Sequence, residues 1–198
     1  MSTIQSYSDK ELVSLISRDN EHAFSIFFSR YYNRIYGKSL QIVKVSAIAQ
    51  DIAQQVFLAV WERRAELPKV KEPSAWLFGI ARNLVADLFR SKLVEEKYLR
   101  FAIEFLETAG QSPEDLILNQ QRSEILSRSL QELSPKQKEI YKLSREEGKT
   151  YQEIADLLGV SKETVKEYMQ IALAKIRKYL LIHREELIQL ILMAIFIK

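Results

Sequence analysis

Cysteine is absent from this chain, so disulfides, thiolate metal sites and a cysteine nucleophile are excluded. Histidine is nearly absent as well. His22 and His183 stand far apart in sequence, and no carboxylate cluster compensates, so no metal ligands and no cofactor are expected. Five glycines and four prolines in 198 residues leave long stretches without a chain breaker, which disfavours a turn-rich β architecture. No window alternates in the manner of a strand. The opening MSTIQSYSDKEL lacks the basic-then-apolar order of a signal peptide, so a cytoplasmic protein is expected. A net charge of +3 identifies no partner by itself; its distribution matters more.

What the chain does have is helical periodicity. Apolar residues recur every three or four positions through most of the sequence, and the start signals agree. Ser8 with Glu11, Ser134-Pro135 with Gln137, and Thr150 with Glu153 read as capping boxes, while Ser112-Pro113 places a cap before a proline at the first helical position. The expected fold is all-α: two helical domains joined by a linker. Residues 1–95 form the first domain, dense in aromatics, and 119–198 the second. The linker 96–118 contains the strongest turn signal, Thr108 to Pro113, although Leu93–Leu106 is apolar enough to be helical.

The most specific pattern is TYQEIADLLGVSKETVKEYMQIALAKIRKYL, residues 150–180. Ala155 supplies the small residue that two crossing helices need, and Gly159 suits a turn at positive φ. Ile154, Leu158, Val160, Val165 and Tyr168 occupy core positions, and Ser161 caps the second helix. This is the spacing of a helix-turn-helix, whose second helix enters the major groove. Ser161, Lys162, Glu163, Thr164, Lys166, Glu167 and Gln170 are the candidate base readers: Lys donates to guanine, Glu accepts from cytosine, and Gln suits adenine. Lys175, Arg177 and Lys178 make a basic end suited to phosphates.

The first block carries AIAQDIAQQVFLAVWERRAELPKVKEPSAWLFGIARNLVADLFRSK, residues 47–92. Ile52, Val56 and Val60 mark an apolar helix stripe. Pro68 and Pro73 bracket a short basic loop containing Lys69 and Lys71, and a helix from about Ser74 carries Trp76, Phe78, Arg82, Asn83, Asp87, Phe89, Arg90 and Lys92. Aromatic and basic groups beside a loop suit an unpaired strand, since bases stack on rings and cations follow phosphates. Taken singly, Trp76, Phe78 and Phe89 are more often core-filling rings than base-stacking ones.

Taken together, AQDIAQQVFLAVW, then PSAWLFGIARNLVADLFR, then the helix-turn-helix region beginning at LSPKQKEI resemble the extracytoplasmic-function sigma factors of the sigma-70 family, over about 20 to 180. The resemblance implies a sigma factor that is not an enzyme, with core RNA polymerase and promoter DNA as partners, an anti-sigma factor besides, and no small-molecule substrate. The helix carrying Asp51, Gln54, Gln55, Phe57, Leu58 and Trp61 would dock on the polymerase. Lys69, Lys71, Arg82, Asn83, Asp87, Arg90 and Lys92 would bind and melt the −10 element, and the helix from Ser161 would read the −35 element. Members of the family usually carry acidic residues where this chain has Gln50 and Gln55, so docking here would lean more on Phe57, Leu58 and Trp61.

Two rivals stand beside this reading. A stand-alone helix-turn-helix regulator explains the second block equally well but leaves the 47–92 motifs as mere core. An enzyme would need a nucleophile–base pair, a phosphate loop or metal spacing, and none is present. One segment fits none of these readings: 187–198, LIQLILMAIFIK, is apolar nearly all round. It falls short of the roughly 20 residues that a membrane span needs, so a cover from the second domain or from a partner is expected.

Overall fold

The computed structural model describes residues 7–108 and 116–196; the turn signal from Ala109 to Pro113, with its Ser112-Pro113 cap, lies outside the described residues. Among those described, ten α-helices and one 3₁₀ helix make up the regular structure. The chain divides into two compact units, 1–91 with 191–198, and 92–190.

The first unit holds α1 (Asp9–Ile16), α2 (Glu21–Val43), α3 (Ser46–Glu62), the 3₁₀ helix Arg64–Lys69 and α4 (Pro73–Lys92). The Ser8–Glu11 capping box starts α1, and the hydrogen bonds from Ser8 hold the Glu11 carboxyl below its ordinary value. The Asn20 side chain caps α2 by accepting from the Ala23 amide at 2.9 Å. α3 starts after Val45 with no side-chain cap, so packing rather than local chemistry fixes its start. That packing is rich in rings. Phe57 lies 4.6 Å from the Phe28 ring centroid and also meets Phe24 and Tyr32, in a core that also holds Leu12, Ile35, Val56 and Leu77. Asp9 ties α1 to α2 by accepting from Arg30 at 2.5 Å and from the Tyr31 hydroxyl. Burial, with that carboxylate behind it, pushes the Tyr31 phenol up to about 12. The expected basic loop between Pro68 and Pro73 is shorter than the sequence suggested, because the 3₁₀ helix already contains Pro68 and Lys69.

The second unit contains α5 (Glu96–Glu107), α6 (Leu116–Gln131), α7 (Pro135–Arg145), α8 (Tyr151–Leu158), α9 (Lys162–Ile182) and the beginning of α10 (Arg184–Phe196). The remaining two capping boxes form at α7 and α8. Along α9, Val165, Met169, Ala172, Ile176 and Leu180 are buried at helical spacing.

Two boundaries differ from the sequence expectation. The 96–118 segment is not merely a linker, since α5 buries Tyr98, Leu99, Ala102, Ile103, Phe105 and Leu106 within the second unit. Arg122 stacks over Phe105 at 3.8 Å, and the Tyr141 hydroxyl donates to Glu107 at 2.5 Å. A stripe this apolar is better buried than left on a tether. The 187–198 segment also divides: Leu187, Ile188 and Leu190 are buried with the second unit, whereas the chain from Ile191 belongs to the first. No helix among the described residues is long and apolar enough to cross a membrane.

Candidate nucleic-acid interface

The helix-turn-helix is built from short-range chemistry. Thr150 caps α8 through its capping box with Glu153, and the helix ends at Gly159, whose φ of 63° is the left-handed conformation that a residue without Cβ adopts at little cost. The Val160 amide closes the turn on the Ala155 carbonyl at 3.1 Å, and Ala155 itself is buried. The Ser161 oxygen then accepts from the Thr164 amide at 3.0 Å and lies 2.9 Å from the Thr164 hydroxyl. Ser161 therefore positions the helix, and Thr164 is half-buried beside it. Lys162, Glu163, Lys166, Glu167 and Gln170 are exposed on the first half of α9, opposite the buried Val165 and Met169.

The basic end of α9 is less free than the sequence suggested. Lys175 donates to the Glu132 carbonyl at 3.2 Å and Arg177 to Glu96 at 3.4 Å. Lys178 stays exposed. The Arg177–Glu96 pair lies at the surface, where an ion pair is worth roughly 0–1 kcal/mol, so it holds Arg177 only weakly.

In the first unit the six residues expected to dock on polymerase divide by burial. Asp51, Gln54, Gln55 and Leu58 are exposed on one face of α3 at i, i+3, i+4 and i+7. Leu58 is 56% exposed and lies opposite the helix face that enters the core. Phe57, unlike the other five, is 2% exposed and enclosed by three rings, so its side chain belongs to the core of the unit and not to the exposed face of α3. Trp61 is half-buried, edge-on to Phe24 at 5.2 Å and beneath the Arg64 guanidinium at 4.8 Å.

On α4, Arg82, Asn83, Asp87, Arg90 and Lys92 are all exposed, as are Lys69 and Lys71 before the helix. Asn83, Asp87 and Arg90 fall on one face at i, i+4 and i+7, and Asp87 pairs with Arg90 at 2.6 Å. Lys92 pairs with Glu95 at 2.7 Å, which raises the lysine's pKa and lowers the glutamate's. Of the three rings on α4, Phe89 belongs to the core at 1% exposure, while Trp76 and Phe78 are half-buried. Phe89 is thus removed from any base-stacking role.

The sequence motifs do not single out α2, yet it contributes to this surface. Arg34 and Lys38 stand beside α4 there, with the Arg34 guanidinium 5.2 Å from the Phe78 ring and 5.5 Å from that of Tyr31. A signal for them exists, for Arg30, Arg34 and Lys38 recur every four residues along one helix face. Among the described residues no group of three or more His, Asp or Glu is placed to hold a metal ion.

Comparison with known proteins bears on both units. Residues 27–93 match Sigma-70 region 2, and residues 123–176 match Sigma-70, region 4. The ferric citrate uptake sigma factor FecI of Escherichia coli K12 is 36% identical over 121 residues, covering 61% of this chain and 69% of that protein. The chain belongs to the extracytoplasmic-function sigma factors of the sigma-70 family. The ECF RNA polymerase sigma factor SigK of Mycolicibacterium vanbaalenii is similar over more of its length: 27% identity over 177 residues, 87% of this chain and 88% of the relative. SigK of Mycobacterium bovis BCG shows 23% identity over 171 residues, 85% and 91%. This sigma factor accordingly binds core RNA polymerase and directs promoter-specific initiation, the role of a transcription initiation factor. A stand-alone regulator would leave the region 2 match without a purpose. Region 2 runs from within α2 through α4, and region 4 from within α6 to within α9.

Proposed function

We propose that three faces divide the work of this sigma factor. Asp51, Gln54, Gln55 and Leu58 on α3 dock on core polymerase, with Trp61 at the edge of that face. Lys69 and Lys71, with Arg82, Asn83, Asp87, Arg90 and Lys92 on α4, hold the −10 element as its strands separate. Lys162, Glu163, Thr164, Lys166, Glu167 and Gln170, on a helix started by Ser161, read the −35 element in the major groove.

The observation that carries the reading is the disposition of α9: five long polar side chains stand exposed on its first half, directly after the Gly159 turn. A solvated helix has no need of a cap, a small-residue crossing and a left-handed glycine in that order. The protein works in the cytoplasm, where the polymerase is, turns over no small molecule, and is held in check by an anti-sigma factor.

Run-off transcription with purified core polymerase and fragments from upstream of this chain's own gene tests the proposal. A discrete transcript is expected that depends on the sigma factor and is lost when Asp51 and Leu58 are both changed to alanine. An undiminished transcript from that double variant would remove the docking assignment.

A further inference from the structure

Within the first unit, α2 and α4 form the walls of a groove of about 410 Å³. Tyr31, Arg34 and Lys38 line one wall, Phe78 and Arg82 the other, and Phe196 from the end of α10 lies in it. No acidic side chain lines the groove among the described residues. Three cations and two rings side by side are a recognition chemistry in search of an anion with a flat apolar group attached.

The end of α10 offers such a combination. The Lys38 ammonium donates to the Ile195 carbonyl at 2.5 Å and sits 5.9 Å from the centroid of the Phe196 ring, with Phe78 on its other side at 5.7 Å. Carbonyls in the last turn of a helix lack intrahelical donors and carry the negative end of the helix dipole. A partial anion and an adjoining ring therefore occupy the groove together. In a nucleic-acid strand a phosphate oxygen and an adjoining base have the same relation. Burial, with Arg34 close by, lowers the Lys38 pKa, as expected of a cation placed among cations.

We propose that the end of α10 is a built-in competitor, occupying through the Ile195 carbonyl and the Phe196 ring a groove of the first unit that otherwise takes a phosphate and base of a single DNA strand. This rests on the assignment of the α4 surface to the −10 element and extends it: Arg34 and Lys38 prolong the basic track from Arg82 onto α2, and the strand must displace Phe196 to use it. Free sigma factor binds a strand only in the fraction of molecules with the groove open, and its apparent affinity is reduced by that fraction.

The test is fluorescence-anisotropy binding of a labelled oligothymidylate of about 12 nucleotides, across a salt series, to the full chain and its variants. Phe196→Ala and a truncation after Met193 are expected to tighten binding about three- to tenfold, the gain of releasing a groove covered in most molecules. Arg34→Ala with Lys38→Ala should weaken binding and flatten the salt dependence by about 1.4, since each phosphate contact on a single strand contributes about 0.7 to the slope. In that background the truncation should gain nothing. Far-UV circular dichroism of each variant checks that helicity is kept. Unchanged affinity on truncation, or an unchanged salt slope in the Arg34/Lys38 variant, overturns the proposal. Lys71→Ala, outside the groove, distinguishes the two levels: weakening by Lys71→Ala alone sinks the groove and leaves the −10 assignment standing, whereas no effect from any variant sinks both.

Discussion

In this sigma factor, α3 of the first unit and helices α7 to α9 of the second are fixed by different means. In the second, Ser134, Thr150 and Ser161 cap three successive helices, and Gly159 ends one of them in a conformation that few other residues accept. In the first, α3 starts without a side-chain cap and is fixed by rings, with Phe24, Phe28 and Tyr32 enclosing Phe57. A face on a locally determined helix can be read from a few neighbouring residues. A face on a helix positioned by its neighbours depends on which residues turn inward, and that is decided by the other helices.

The largest effect expected from this contrast is at Phe57. Phe57→Ala should destabilise the first unit by roughly 3–5 kcal/mol, the usual cost of emptying a ring-sized space in a core. Leu58→Ala, one residue on and exposed, should leave stability nearly unchanged while weakening binding to core polymerase. Both tryptophans, Trp61 and Trp76, belong to the first unit, so their fluorescence follows its unfolding alone. Equal stability losses at the two positions would break the distinction between support and contact.

A smaller and opposite pattern is expected in the second unit. Thr150→Ala removes a cap and should cost about 1 kcal/mol. Gly159→Ala forces a Cβ into the left-handed region and should cost roughly 1–2 kcal/mol. Neither should move the tryptophan transition, while far-UV circular dichroism should show earlier loss of helix. The least effect is reserved for α2, where Gly37 lies mid-helix and an added Cβ would meet open space. Gly37→Ala should raise the first unit's stability by roughly 0.5–1 kcal/mol, seen as a later tryptophan transition.

The same contrast explains what is legible in the sequence. The capping boxes at Ser8, Ser134 and Thr150, the Gly159 turn and the Ser161 cap all involve partners within four residues, and each forms as the spacing implies. Phe57 and Phe89 are harder, because periodicity places a ring on a stripe without saying how far neighbouring helices enclose it. Their burial comes from partners tens of residues away, as with Phe57 against Phe24 and Phe28. The α5 stripe is visibly apolar in the sequence, but its partners within the second unit include Arg122 against Phe105 and Tyr141 against Glu107, which no local pattern connects to it. The groove residues Arg34 and Lys38 escape notice for a related reason: a basic i, i+4 series on a helix is ordinary until another helix brings rings beside it.

The measurement that bears most directly on the division of labour is run-off transcription from a promoter carrying single-base changes across its −35 and −10 elements, with holoenzymes containing Gln170→Ala or Asn83→Ala. Each variant should lose discrimination within one element only, −35 for Gln170→Ala and −10 for Asn83→Ala, by about 1–3 kcal/mol at a directly contacted base. Loss at the other element, or unaltered discrimination at both, would contradict the assignment of the two promoter elements to α9 and α4.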